Sequence, residues 1–476
     1  MSAAAQKEKP VRYGGVMPGT ADACRAAGKG KPGAPAAGRA AAIARPVFFG
    51  FLLAVLVLAA GCTAGGPESS GTGAGTGAAG IAGRETADGP AGFSDGTGAG
   101  SGGAESADIP PPPPEPAFAE ARLIAVGDIM MHLPQTRSGY DPESGTYSFH
   151  HFFEMVKPFL SAGDWVIGNL ETPLADGDRR GYTGYPEFNA PPELADALKE
   201  AGFNILTTAN NHALDRRESG VLRTLENLRD RGLVAVGTHA SPEEAERVTV
   251  VEKNGVSLAI LAYTYGTNGI PIPEGKDYLV NLINEEKIAN DIKKARSAGA
   301  DAVAVALHFG TEYQTMPSDE QKRLARSLLA KGADLILGSH PHVLQPYEIV
   351  EAAREDGTVK EGIILYSMGN FISNQDRLNN NGKPTDIGAI FEIGIKKQMP
   401  GGPVSFTGVR AIPTYVHKYS KDGVTRHRVL PLEAVLLERD DALLTEKDYV
   451  RLEQYWAETN AHLAAFLPAP SASAAP

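Results

Sequence analysis

The chain has 476 residues, 42% of them hydrophobic, which is enough for one large core, but its first quarter is too poor in Val, Ile and Leu to join that core. Its formal charge is −12; without residues 1–61, which hold eight Lys or Arg and two Asp or Glu, 37 positive residues face 55 negative ones, a balance of −18. An acidic surface with no basic patch excludes nucleic acid as a partner, and two cysteines, Cys24 and Cys62, leave no thiolate metal site and, once a leader is removed, no internal disulfide.

Val47 to Ala60 is an apolar run of about 14 residues, preceded by Arg39 and Arg45 and closed by Leu58-Ala59-Ala60-Gly61-Cys62. It is shorter than the ~20 residues that span a bilayer. Residues 1–61 are therefore expected to be a signal peptide with a long n-region, unless translation starts at Met17 or later. The small residues before Cys62 resemble a bacterial lipobox with Leu58 one place early; the alternative is a plain signal peptide or short anchor with an incidental cysteine. On the lipobox reading Cys62 is lipidated and the protein is an extracytoplasmic lipoprotein held at the cell membrane. From 62 to 120 the chain is Gly, Ala, Ser and Thr with scattered acids, closing in Pro110 to Pro114. Such a segment cannot bury enough apolar surface to offset its chain entropy and is expected to be a flexible tether. The folded domain is expected over 121–440, with a C-terminal helix and a low-complexity tail, Pro468 to Pro476, in 441–476.

From Ala121 onward short apolar runs alternate with amphipathic stretches, the pattern of an α/β fold. A strand at Arg122 to Val126 comes first, then a helix at Phe152 to Leu160, a strand at Trp165 to Ile167, a helix at Pro192 to Ala201, a strand at Asn204 to Thr208 and a helix at Glu218 to Arg231. Val248 to Tyr263 is two alternating runs around Asn254-Gly255, which predicts a hairpin with a tight turn. A helix at Asn284 to Ala298, a strand at Ala302 to Leu307, a helix at Ser318 to Lys331 and strands at Asp334 to Leu337 and Ile363 to Tyr366 follow. Further strands at Ala389 to Ile395 and Gly408 to Val416 suggest a second, mixed or antiparallel sheet.

The residues after the six apolar strands carry the chemistry. They are Gly127, Asp128 and, slightly later, His132; Gly168, Asn169 and Glu171; Asn210, Asn211 and His212; His308 and Glu312; Gly338, Ser339, His340, Pro341 and His342; and Ser367, Met368, Gly369 and Asn370. Loops at the carboxyl ends of α/β strands share one edge, so these groups are expected to converge. Of the eleven histidines, four fall directly at strand ends. Carboxylate, amide oxygen and imidazole form a mixed donor set that suits Mn, Fe or Zn better than calcium. Two such ions about 3.5–4 Å apart, bridged by a carboxylate, activate water and neutralise charge on a phosphoryl or acyl oxygen.

Each residue also has a plainer role. Asp128 suits a turn cap, Glu171 a surface acid, Asn169 a turn residue or weak ligand, Asn211 with His212 a buried hydrogen-bonded pair, and His308 a core histidine. The pair His340 and His342 is more specific, because alternate residues of an extended segment point the same way. Glu312, Tyr313 and Asn370 divide between substrate contact and structure, and His132 between ligand and bystander. His150, His151, His239, His417, His427 and His462 are assigned to structure or surface.

In order, Gly127-Asp128-Ile129-Met130, Gly168-Asn169-Leu170-Glu171, Asn210-Asn211-His212, His308 to Tyr313, Gly338 to His342 and Tyr366 to Phe371 resemble the motifs of the CapA family of capsule and poly-γ-glutamate synthesis proteins, over roughly Arg122 to Gln375. The resemblance implies a calcineurin-like phosphoesterase fold, a four-layer α/β/β/α sandwich of two mixed sheets. It also implies two divalent ions held by Asp128, Glu171, Asn211, His308, His340 and His342, with Glu171 bridging and His212 beside them as general acid or transition-state stabiliser. Met130 stands where such phosphoesterases have a histidine, which leaves the first ion short of a ligand or recruiting His132. Asn169 stands where they have Asp, the acid being Glu171.

Two functions follow. One is a metal-dependent hydrolase acting outside the membrane on an ester or amide bond of a cell-surface polymer or its precursor. The other is a non-catalytic accessory of a membrane synthase complex that binds or guides the polymer.

Overall fold

The computed structural model describes residues 117–177 and 180–468. The apolar run, Cys62, the tether to residue 116 and the tail beyond 468 lie outside them. Along the chain come β1 (Phe118–Ile129), α1 (Leu133–Gly139), the small hairpin β2 (Tyr140–Asp141) and β3 (Thr146–Tyr147), α2 (Lys157–Leu160), β4 (Trp165–Leu170), α3 (Glu193–Ala201), β5 (Ile205–Thr207), α4 (Arg217–Asp230), β6 (Val234–Val236) and α5 (Pro242–Ala245). The middle of the chain holds β7 (Thr249–Lys253), β8 (Val256–Thr264), α6 (Glu285–Ser297), β9 (Ala302–His308), α7 (Asp319–Ala330), β10 (Leu335–Ser339), β11 (Tyr347–Ala353) and β12 (Val359–Leu365). It closes with β13 (Asn370–Ile372), β14 (Ile387–Gln398), β15 (Val404–Lys421), β16 (Val424–Pro431), α8 (Leu432–Glu438) and α9 (Glu446–Leu463).

Two mixed sheets stack face to face. One has the order β16-β15-β14-β1-β4-β5-β6, with β13 beside the end of β1; the other has the order β11-β12-β10-β9-β8-β7. Alternation along β1 shows the layering, because successive side chains face opposite sides of a strand. Leu123 and Ala125 join Ile260, Ala304, Leu337 and Leu365 of the second sheet in a core between the sheets. Ile124 and Val126 face the other way, onto Phe153, Leu194, Leu198 and Phe203. The far side of the second sheet, with Val303, Val305 and Ile336, is covered by Ile292 of α6 and Leu324 and Leu328 of α7. Each fully buried Val, Leu, Ile or Phe side chain contributes about 1.5–3 kcal/mol. The result is the α/β/β/α sandwich implied by the resemblance.

Several expectations need correcting. Strands β14 and β15, assigned to a second sheet, extend the first one, because β14 pairs antiparallel with β1 from Phe118↔Gln398 to Val126↔Ile390. The second sheet is instead built on the expected hairpin and on β9, β10 and β12. Phe118 to Glu120, expected in the tether, start β1 through that same pairing. The single helix expected over Phe152 to Leu160 is a 3-10 turn, His150–Phe152, and the separate short helix α2, in which Pro158 occupies the first turn. A proline lacks the N–H that a helix interior needs, so the helix begins anew there. The Asn254-Gly255 turn forms as expected, with φ of +51° and +77° joining β7 to β8. Helix α9 packs Tyr449, Leu452 and Leu463 into the core between the sheets. Among the described residues no helix is long and apolar enough to cross a membrane.

Candidate metal centre

The expected strand ends do converge, but from two sheets. β1, β4 and β5 approach from the first and β9 and β10 from the second. β13 brings Asn370 opposite Asp128 in parallel register. That approach is tight: a Cβ on Gly127 would sit 1.8 Å from the Gly369 carbonyl oxygen, and the Asp128 N–H donates to the same oxygen at 2.8 Å. Only glycine lets the two backbones meet there.

Asp128 and Glu171 are fully buried. Asn169 sits between them, its Nδ2 donating to Asp128 Oδ1 at 2.8 Å and Glu171 Oε2 at 3.3 Å. His342 Nδ1 lies 3.0 Å from Asp128 Oδ2 and 3.2 Å from Asn370 Oδ1. Glu171 Oε1 lies 3.6 Å from His308 Nε2 and 3.8 Å from His342 Nε2. His308 Nε2 also meets Asn211 Oδ1 at 2.9 Å, while its Nδ1 meets Ser339 Oγ at 3.1 Å. Among the described residues, three sets have ligand atoms within 4.8 Å of one another: Glu171, His308 and His340; Asp128, Glu171 and His342; and Glu312, His340 and His342. Glu312 is the exposed member.

His340 and His342 converge for a different reason from the one expected. β10 ends at Ser339, and the two histidines have φ of +100° and +59°. Left-handed backbone is uncommon for non-glycine residues and concentrates at functional sites. It is this kinked backbone, not strand alternation, that brings both rings to the cluster, with centroids 5.9 Å apart.

Burial sets the electrostatics. It drives the His340 imidazole down to about 3 and His308 well below its ordinary value, with neighbouring imidazoles adding to both, so each stands neutral with a lone pair to offer. Burial, and then the charge of Asp128, push the Glu171 carboxyl well above its usual range. At His342 burial also works downward, but the hydrogen bond and charge of Asp128 outweigh it and the net shift is upward.

His212 stands beside the cluster, 4% exposed. Its Nδ1 lies 2.7 Å from Asp215 Oδ2, which also accepts the Phe188 N–H at 2.7 Å. The Phe188 ring meets the His212 ring edge-on at 4.6 Å. His132 is not gathered in: its Nδ1 accepts the Asn374 N–H at 3.4 Å, its ring rests on Phe188, and burial lowers it to about 4. Met130 is buried, with Sδ 3.8 Å from Ser373 Oγ.

Asp215, Tyr265 and Asn268 were missed from the sequence. Asp215 carries a faint signal, the three-residue spacing to His212. The Tyr265 ring lies 4.6 Å from that of His340, and nothing in its local sequence announces this.

Comparison with known proteins places the chain in a family. The family profile described as bacterial capsule synthesis protein PGA_cap matches residues 122–375. The capsule biosynthesis protein CapA of Bacillus anthracis is 34% identical over 263 residues, 53% of this chain and 60% of that protein. The PGA biosynthesis protein CapA of Bacillus subtilis (strain 168) is 33% identical over 264 residues, 52% of this chain and 62% of that protein. The chain thus spans about three-fifths of the length of these two relatives. A probable polyglutamine synthesis accessory protein of Mycobacterium tuberculosis (strain CDC 1551 / Oshkosh) is 25% identical over 238 residues, 46% of this chain and 58% of that protein. Among solved structures, the calcineurin-like phosphoesterase YfkN from Bacillus subtilis is 14% identical with a TM-score of 0.34, covering 72% of this chain and 98% of that one. Because the profile match covers more than half of the chain, from within β1 through β13, and takes in every residue from Asp128 to Asn370 at the shared edge, the chain belongs to the bacterial capsule synthesis protein family PGA_cap.

Proposed function

We propose that the chain is a metal-dependent hydrolase that cleaves an ester or amide bond in capsule, poly-γ-glutamate or another cell-surface polymer or its precursor, and that it works outside the membrane, held there through Cys62. The observation that supports this most is a pair of bare donors. Glu171 Oε1 and His340 Nδ1 are buried without a hydrogen-bond partner, and each such group costs roughly 1–3 kcal/mol unless something occupies it. A cation answers both, and it also offsets the repulsion between buried Asp128 and Glu171.

The donor set fits Mn, Fe or Zn. Asp128, Glu171, Asn211, His308, His340 and His342 would hold two such ions, with Glu171 shared. When bound, ions of this kind supply positive charge that polarises a substrate oxygen and activates water.

The remaining work falls to the chain itself. With Nδ1–H donating to Asp215, His212 keeps Nε2 to hold a proton for the leaving group, in the manner of an oriented general acid. Asp215 is fixed in turn by the Phe188 N–H, and the Phe188 ring shields one side of His212 from water. The polymer rests on the relatives: those from Bacillus anthracis and Bacillus subtilis are named for capsule and PGA biosynthesis. The anchor rests on the sequence before Cys62.

A second reading, a non-catalytic accessory of a membrane-bound polymer synthesis and export complex, has its own support. Asn169 Nδ2 already donates to both carboxylates, which is part of the work of a cation, and Met130 offers no imidazole. The Mycobacterium tuberculosis relative is named as an accessory protein.

Elemental analysis of the purified protein, joined to a Mn-dependent assay on generic phosphodiesters and γ-glutamyl peptides, separates the two. The hydrolase reading expects about two equivalents of a transition metal and turnover lost in Asp128→Ala and His340→Ala. Protein without metal, or turnover untouched by either change, sinks it. Binding to synthase partners that survives both changes would favour the accessory.

A further inference from the structure

We infer that Asn268 is a positioning residue that turns the Asn211 carboxamide so that its oxygen, and not its nitrogen, faces the metal centre. The inference rests on the metal-binding reading above and adds to it a residue outside every motif picked from the sequence.

Asn268 lies in the loop after β8. Asn268 and Gly269 have φ of +51° and +73°, and the Ile270 N–H donates to the Thr267 carbonyl at 2.9 Å, closing a two-residue turn. Thr267 Oγ1 donates to the Ile270 carbonyl at 2.6 Å and ties the turn from the other side. Asn and Gly are the residues that accept such backbone most readily.

The turn presents Asn268 Oδ1 to two donors, Asn211 Nδ2 at 3.2 Å and the Tyr265 hydroxyl at 3.5 Å. Both belong to the wall of the centre. Asn211 Oδ1 meets His308 Nε2 at 2.9 Å, and the Tyr265 ring rests against the ring of His340.

A carboxamide is two-sided. Its oxygen has lone pairs for a cation, whereas its NH2 group has none and repels one. Half a turn about the last side-chain bond exchanges the two at little steric penalty, so Asn211 needs a neighbour that tells them apart. Asn268 is a carboxamide too, but the Tyr265 hydroxyl also donates to its Oδ1, which favours the orientation that offers this oxygen, and so pairs it with the NH2 side of Asn211. Outer partners of this kind typically hold 10–100-fold in metal affinity.

The test titrates Mn into metal-stripped protein by calorimetry, and follows the melting temperature of the metal-free form. Asn268→Gly keeps the backbone of the turn and removes the acceptor; about tenfold weaker Mn binding with an unchanged metal-free melting temperature is expected. Asn268→Asp keeps an acceptor and should bind at least as tightly as wild type. In an Asn211→Ala background, Asn268→Gly should cost nothing further, because the two act through one carboxamide. Unchanged affinity in Asn268→Gly overturns the inference, as does weak binding in Asn268→Asp or an equal loss in the Asn211→Ala background. Wild-type protein that binds no Mn overturns the metal reading itself, and this inference with it.

Discussion

Replacing Glu171 with Gln separates the charge of the buried carboxylate from its shape. Glu171 and Asp128 are both fully buried, share the single donor Asn169 Nδ2, and leave Glu171 Oε1 without a partner. Without a cation, burial and the charge of Asp128 disfavour the ionised form of Glu171, and the folded state bears that penalty near neutral pH. The metal-free Glu171→Gln protein is therefore expected to be more stable than wild type by about 1–3 kcal/mol. Metal reverses the order. An ion present at one hundred to one thousand times its dissociation constant stabilises the folded state by about 2.7–4.1 kcal/mol. For a described domain of about 350 residues, an unfolding entropy near 2.1 cal/mol/K per residue makes that a rise of about 4–6 °C in melting temperature. Scanning calorimetry with a chelator and then with Mn should show this rise in wild type and less than half of it in the variant, which starts higher. An equal rise in both proteins would refute the assignment of Glu171 to the ion. A variant that starts lower than wild type would refute that penalty.

His212→Gln should lower turnover by roughly 10²–10⁴-fold while elemental analysis finds the metal retained; loss of metal would move His212 into the ion-holding set. Gly127→Ala places a methyl group 1.8 Å from a backbone oxygen of Gly369, and urea denaturation should show a loss of about 3 kcal/mol or more, since neither backbone can yield without moving Asp128. Acid should destabilise the fold through His427, whose imidazole is fully buried and is brought down to about 3 by burial, with Lys418, His132 and His151 adding to it. Its folded value lies below the unfolded value near 6.5, so its contribution is complete above about pH 6.5 and is lost as pH falls toward 3. At pH 5 that loss is about 2 kcal/mol. His427→Gln should therefore lose about that much less than wild type between pH 7.5 and pH 5 in urea titrations; parallel losses would contradict it.

Most strands of the two sheets, though not β11 (Tyr347–Ala353) or β16 (Val424–Pro431), and the donors that follow them were legible because they are local. Buried parallel strands such as β9 and β10 are continuous apolar runs, the Asn254-Gly255 turn is a two-residue signal, and a histidine or acid after a strand stands out in one dimension. The break at Pro158 was also legible in principle, since proline chemistry needs no tertiary context. Strands β6 and β13, at three residues each, are too short to show any period.

What a residue is, and where along a strand it falls, belongs to the sequence: it determined that six segments end in side chains able to hold a metal and that the chain has an α/β core. Which sheet each strand joins was decided only by packing. β14 extends the sheet of β1 because its partner strand begins at Phe118, a residue its own composition placed in the tether. The same holds within the centre. His340 and His342 meet through left-handed backbone, Asp215 orients His212, and Asn268 faces Asn211 across a gap of many residues in the chain. Those relations depend on contacts between distant segments, whose closure is enforced by the buried core rather than by any local preference.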